Sequence, residues 1–460
     1  MKYFVSLALL VIFMSCKEEA KTPEYAVLNG QISNPVNDKV TISGGDLKEE
    51  ITLNTDGSFT DTLSINSPGI YTLVHGREMT NIYLKNGQDL KFSLDTQNFD
   101  ASLKYEGTGA KENNYLAEKM VLTDSIIYKN SQEFYSMDEN AYAAKLNDIE
   151  NLHKGRLNAI EDLDEHFLQT ESKNLVFDKY SYLQNYERNH RYFSKNNDFK
   201  VSDNFIPAEL KNMEFNDADS YQNSQAYKQM AYSSVMNEIF ETLGDNYQTA
   251  SVEQLRTLDS VQIPALRNDA IGYIGAVVMS PGNPNMKEVH DYFQSLVTNE
   301  ELKTKLENNY NKFKGLTKGN PSPQFVDYEN HKGGTMSLAD LKGKYVYIDV
   351  WATWCGPCKK EIPSLKEVEK KYHGKNIEFV STSIDKASDH SKWVEMVKSE
   401  NLGGTQLFAD NDWNSKFVKE YAIEGIPRFI LVDPQGNIVS ADAPRPSNPK
   451  LVEMFDGLGI

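Results

Sequence analysis

Cysteine is scarce in this chain: three among 460 residues, at Cys16, Cys355 and Cys358. One close pair, with eight histidines scattered without ligand spacing, argues against a structural zinc site. If each of the three has a separate task, none is left for a structural disulfide. Basic charge is also in deficit. Lys and Arg number 48 against 66 Asp and Glu, a net charge of −18, so no positive field exists to collect nucleic-acid phosphates. Long apolar runs are missing too. Beyond the first sixteen residues nothing approaches the ~18 apolar residues of a membrane span. No fixed-period repeat is present, so no named helical-repeat family is supported.

The length is too great for one compact core, and two to four domains is the expectation. Hydrophobic residues at 39% and charged residues at 25% fit a folded body and not a disordered one. The charge is uneven. Residues 316–460 hold 18 Lys and Arg against 20 Asp and Glu, a net of −2, so the rest of the chain carries −16. An acidic first two-thirds precedes a nearly neutral last third.

Lys2, the apolar run Tyr3 to Met14, Ser15 and then polar Lys17-Glu18-Glu19 read as a secretory signal, too short to be a comfortable membrane helix. With Cys16 at the break, the segment resembles a bacterial lipoprotein signal, residues 1–15, which would make Cys16 the lipidated first residue. Phe13 and Met14 depart from the usual Leu and small residue, and a plain secretory peptide is the alternative. The expected location is the cell envelope, by default on the periplasm-facing side of the outer membrane. Glu18-Glu19 resembles a signal for export to the cell surface.

After a linker at 16–24, residues 25–108 carry alternating runs such as Val27–Ile32, Lys39–Ile42, Glu50–Leu53, Phe59–Leu63 and Tyr71–Val74. Turn signals at Asp56-Gly57, Pro68-Gly69 and Asn86-Gly87 fall between or beside them. The expectation is a small β-sandwich, resembling the β-rich module that precedes thioredoxin domains in envelope lipoproteins. Residues 109–315 change to helical spacing, as at Leu146, Ile149, Leu152, Leu157, Ile160, Leu163 and Phe167, and are expected to be all-α. The aromatic run Leu175 to Phe193 reads as core packing, with a client-binding groove as the alternative. Gly319-Asn320-Pro321-Ser322-Pro323 marks a linker into a C-terminal α/β domain, residues 316–460.

The chemistry lies in YVYIDVWATWCGPCKKEIPSL, from Tyr345. The β-branched and aromatic run Tyr345–Trp351 predicts a buried strand. Ile362, Leu365, Val368 and Tyr372 predict a following helix, with the Cys355–Cys358 pair on its first turn. A helix N-terminus offers unpaired amides and partial positive charge, which favour the reactive thiolate. Cys358, one turn inward, can resolve a mixed disulfide formed at Cys355. Gly356 and Pro357 keep the turn tight.

These residues resemble the thioredoxin superfamily, in particular its TlpA/ResA-like envelope branch, over about residues 316–460. The resemblance implies a thioredoxin fold and a thiol-disulfide oxidoreductase. It implies a buried acid at Asp349 to take the Cys358 proton, and a tuning acid at Glu361 within CKKEIP. It also implies a kink at Pro363 and a cis-proline at Ile426-Pro427 facing the cysteines, with Ile426 pairing to an extended client. Trp354 is either a flat client contact or a lid over the cysteines. ResA-like chains commonly lack the Asp, so which of Asp349 and Glu361 moves protons stays open.

The implied function is reduction of disulfides in envelope proteins, apocytochrome c among them, with electrons from a membrane donor of the DsbD or CcdA kind. No cofactor, metal or nucleic acid is implied, and the only membrane link is the lipid anchor. The alternatives are an oxidase or isomerase using the same residues, or a ligand- or partner-binding lipoprotein with an accessory thioredoxin domain. Peroxide reduction is discounted, because Ala352 stands where a peroxidatic site usually has Thr.

Overall fold

The computed structural model describes residues 23–244 and 247–460. Cys16 and the apolar leader therefore lie outside the described residues. Contacts divide the chain into two compact units, with the division between Ala231 and Tyr232.

The first unit opens with eight strands in two four-stranded sheets. One, ordered β4-β1-β7-β8, contains β1 (Ala26–Ser33), β4 (Ser58–Leu63), β7 (Asp89–Asp95) and β8 (Lys104–Gly107). The other, ordered β3-β2-β5-β6, contains β2 (Lys39–Gly44), β3 (Leu47–Thr52), β5 (Gly69–His75) and β6 (Glu78–Leu84). Alternation decides which face is buried: Ala26, Leu28 and Ile32 of β1, and Leu90, Phe92 and Leu94 of β7, join Val40, Ile42 and Leu73 of the other sheet in one hydrophobic cluster. Gly30 is required by close approach, since a Cβ there would lie 2.2 Å from the Phe59 ring.

Helices follow. The longest that lie wholly in this unit are Ala110–Thr123, Glu139–Asn158 and the 30-residue Glu165–Ser194. Asp164 caps the long helix through the Phe167 amide (3.1 Å) and accepts from the Tyr83 hydroxyl at 2.6 Å, fastening helix to β6. Most of the aromatic run is core, where Tyr142 stacks on Tyr186 with centroids 4.2 Å apart, both wholly buried, beside Phe134, whereas Tyr192 faces solvent.

The second unit begins with helices that share a cluster of Ile239, Ile271, Ile274, Val289, Phe293 and Leu306. Its C-terminal part is a seven-stranded sheet ordered β10-β9-β13-β12-β11-β14-β15. The strands are β9 (Tyr328–Asn330), β10 (Thr335–Met336), β11 (Tyr345–Trp351), β12 (Ile377–Ser383), β13 (Thr405–Phe408), β14 (Arg428–Val432) and β15 (Ile438–Ser440). β11, β12 and β13 run parallel, and β14 is antiparallel to β11. The pleat of β11 sends Val346, Ile348 and Val350 to one core, with Trp393 and Phe417. Tyr347 goes to the other, with Leu365, Val368 and Phe455 from the helices Gly356–Lys371 and Lys450–Gly457. Asp349, two residues on, shares the face of Tyr347. Among the described residues no helix is long and apolar enough to cross a membrane.

Candidate active site

β11 ends at Trp351, and the chain turns through Ala352-Thr353-Trp354 into the helix Gly356–Lys371. The turn is held from below. Asp385, fully buried, accepts the Thr353 amide (2.9 Å), the Thr353 hydroxyl (2.7 Å) and the Ser383 hydroxyl (2.7 Å). Cys355 is the N-cap residue, and its sulfur accepts the Cys358 amide at 3.1 Å. The pair is joined as a disulfide with Cα atoms 5.3 Å apart. In the dithiol form the same amide would stabilise a Cys355 thiolate.

The other predicted site residues arrive from three directions. The Ile426–Pro427 bond is cis, and the Ile426 carbonyl oxygen lies 3.8 Å from the Cys355 sulfur. Trp354 is 55% exposed, with its ring centroid 6.4 Å from that of Trp413. Asp349 lies behind the pair and lines a small cavity with Cys358, Ile362 and Leu365. One of its oxygens is a distant 3.5 Å from the Ser381 hydroxyl, and the other is buried without a partner among the described residues. Burial pushes its pKa up to about 7; the Ser381 hydrogen bond opposes this, and the charges of Glu361 and Glu369 reinforce it.

Glu361 is placed differently. It is buried, but its two oxygens accept the Ser447 amide and hydroxyl, each at 3.0 Å. It reaches Asp349 through charge and does not line the Cys358 cavity. Pro363 lies inside the active-site helix.

Four residues escaped sequence reasoning: Asp385, Trp413, Glu369 and Gln406. Glu369 and Gln406 line the cavity with Asp349 and Cys358. Only Glu369 carried a signal, as an acid two turns beyond Glu361 on the helix. No group of metal-ligating side chains is found among the described residues.

The Redoxin family profile matches residues 317–454. The thiol-disulfide oxidoreductase ResA of Bacillus thuringiensis (strain Al Hakam) is 31% identical over 121 residues, 26% of this chain and 66% of the relative. The chain thus spans just under two thirds of that protein's length. The thioredoxin-like protein YneN of Bacillus subtilis (strain 168) is 34% identical over 125 residues, 27% of this chain and 70% of its own. The chain belongs to the thioredoxin superfamily. A Bacteroides vulgatus chain solved in solution is 55% identical over 30% of this chain and 90% of that one, with a TM-score of 0.27.

Proposed function

We propose that this chain is a thiol-disulfide oxidoreductase, working as a reductase of disulfides in cell-envelope proteins through a Cys355–Cys358 dithiol/disulfide cycle. One observation carries the reading: the pair sits at a helix N-terminus, between the Ile426 carbonyl on one side and a raised, buried carboxyl on the other. The Cys355 thiolate attacks a client disulfide, and one client sulfur leaves with the electron pair. Cys358 gives its proton to the Asp349 carboxylate and attacks Cys355, closing the intramolecular disulfide and releasing the second client thiolate. Two electrons pass from the dithiol to the client.

Gly356-Pro357 between the cysteines matches the strongly reducing members of the superfamily, at roughly −270 mV. The leader supports a lipoprotein anchored at Cys16 on the periplasm-facing outer membrane. Electrons then come from a membrane donor of the DsbD or CcdA kind, and oxidised apocytochrome c is one client. The cluster shared by the two N-terminal sheets supports a β-sandwich module at residues 25–108, ahead of a helical region at 109–315 and the thioredoxin domain at 316–460.

The test is the reduction potential of the pair, measured by equilibrating the chain with thiol buffers and counting free thiols. A value near or below about −250 mV supports the reductase. A value above about −180 mV makes the pair an oxidant or isomerase and overturns the direction proposed.

A further inference from the structure

We propose that Glu369 is the outlet of the proton path behind Cys358: it joins the buried cavity that holds Asp349 to an open surface cavity, so that protons taken by Asp349 reach water through Glu369. The inference rests on the thiol-disulfide reading above and deepens it.

The geometry comes first. The inner cavity is lined by Cys358, Asp349, Trp351, Gln406 and Glu369, and has room for about one water. Three buried polar atoms on residues that line it have no partner among the described residues: one Asp349 oxygen, the Trp351 indole nitrogen and the Gln406 side-chain oxygen. These are groups that one bridging water would satisfy. The outer cavity, open to solvent, shares Glu369, Lys366 and Gly403 with the inner one. Of those three, only Glu369 is a carboxyl that can take a proton from one side and give it to the other.

The fold makes room for it. A Cβ on Gly403 would lie 2.1 Å from one Glu369 oxygen, and one on Gly404 would lie 3.0 Å from the other. The glycine pair is a cradle that a larger residue would fill. Other charged groups are engaged elsewhere. Lys366 donates to the Glu400 carbonyl (2.5 Å) and Lys332 to the Gly404 carbonyl (3.2 Å), while both oxygens of Glu361 are held by Ser447. Lys344, Lys370, His373, Lys375 and Glu378 stand around the outer cavity. Burial raises Glu369 to about 7, with Lys366 and Lys332 opposing, which matches it to Asp349 for proton exchange near neutral pH.

The step balances. In the mixed disulfide, the Cys358 thiol passes its proton to Asp349, and its sulfur forms the bond to Cys355 as the Cys355–client bond breaks. The client sulfur leaves with the electron pair and is protonated from solvent. Asp349 then returns to the carboxylate by passing its proton through the cavity to Glu369 and out. When a dithiol donor re-reduces the pair, the same path runs inward. Glu369 touches no reacting atom and acts through Asp349; it is a positioning residue for the proton.

The experiment uses the reduced chain and 5,5′-dithiobis(2-nitrobenzoate) in stopped flow, which releases one thiolate on attack by Cys355 and a second on resolution by Cys358. At neutral pH part of Asp349 is protonated before resolution and must first lose that proton through Glu369, so Glu369→Gln is expected to slow the second phase about fivefold or more and leave the first within about twofold. It should also move the midpoint of the second phase's pH profile downward, because a negative neighbour of Asp349 is gone. Glu369→Asp should recover part of the rate. Gly403→Ala, which keeps every charge but displaces the carboxylate, should slow the same phase. A second phase within about twofold of the parent across the pH range in both Glu369→Gln and Gly403→Ala overturns the relay. The underlying reading fails separately: it falls if Cys355→Ser still reduces insulin disulfides at the parent rate.

Discussion

Asp385 accepts both the amide and the hydroxyl of Thr353, two residues before Cys355, from a position with no solvent exposure. A carboxylate two residues past the end of β12 thus fixes the turn that aims the reactive sulfur. Asp385→Ala removes three hydrogen bonds and leaves buried donors unpaired, which costs about 3 kcal/mol or more. Chemical denaturation of the oxidised chain should show that loss. Cys355 attack on 5,5′-dithiobis(2-nitrobenzoate) should slow about tenfold, because the turn no longer holds its geometry. Unchanged attack in a destabilised variant would reduce Asp385 to a purely structural anchor.

Asp349 makes stability depend on pH with a definite sign. Its carboxyl titrates near about 7 in the folded chain and at 3.8 as a free side chain. Between those values the folded state keeps a proton that the unfolded state releases. Stability from this group is therefore greatest below the lower value, falls as pH rises towards about 7, and is flat above. Asp349→Asn removes the titration. The variant should gain about 2–3 kcal/mol more stability at pH 8 than at pH 5, measured on the oxidised chain in urea. Equal gains at the two pH values would mean that Asp349 is not raised.

Glu361 and Asp349 were indistinguishable as proton acceptors in the sequence; their surroundings separate them. Asp349 lines the Cys358 cavity, whereas Glu361 is committed to Ser447. Asp349→Asn should slow resolution by about 100-fold, and Glu361→Gln by less than about tenfold. Glu361→Gln should instead cost about 1–2 kcal/mol of stability as its charge-assisted bonds to Ser447 weaken. The reverse order in stopped flow would make Glu361 the acceptor of the Cys358 proton.

The sequence revealed most where the chemistry is local. Tyr345–Trp351 is one strand, β11, and Cys355 caps the following helix, because a buried β-branched run and a Pro-containing first turn need no distant partner to be recognised. β14 spans Arg428–Val432, over the apolar run Phe429–Val432. Less was legible in the first unit. β6, β7 and β8 escaped; Glu78–Leu84 mixes polar and buried residues without clean alternation, whereas Asp89–Asp95 does alternate and was legible but not read. The periodic run from Leu146 to Phe167 spans two helices, because Asp164 caps a new one and Leu152 faces solvent. Glu369 sits on the active-site helix, Gln406 on β13 and Asp385 in the loop after β12. Only the packing of β12, β13 and the active-site helix against β11 brings Glu369 and Gln406 to one cavity, while Asp385 reaches Thr353 instead, and no spacing in the chain encodes either meeting.

The first unit holds a buried charge whose partner is a single lysine. Glu171 has no exposure; the Lys119 ammonium sits 2.6 Å from it and 3.1 Å from Asp178, and Asn174 donates to its other oxygen at 3.3 Å. Burial pushes the Glu171 carboxyl upward, and Lys119 opposes the shift. Lys119→Met strands that carboxylate, which costs about 3–5 kcal/mol, whereas removing both charges costs much less because no unpaired ion remains. Lys119→Met should therefore unfold the first unit at markedly lower urea. Adding Glu171→Gln should recover most of the loss, and thiol reactivity at Cys355 should not move in either variant. A double variant as unstable as the single one would assign the cost to lost packing of the lysine stem and not to the buried charge.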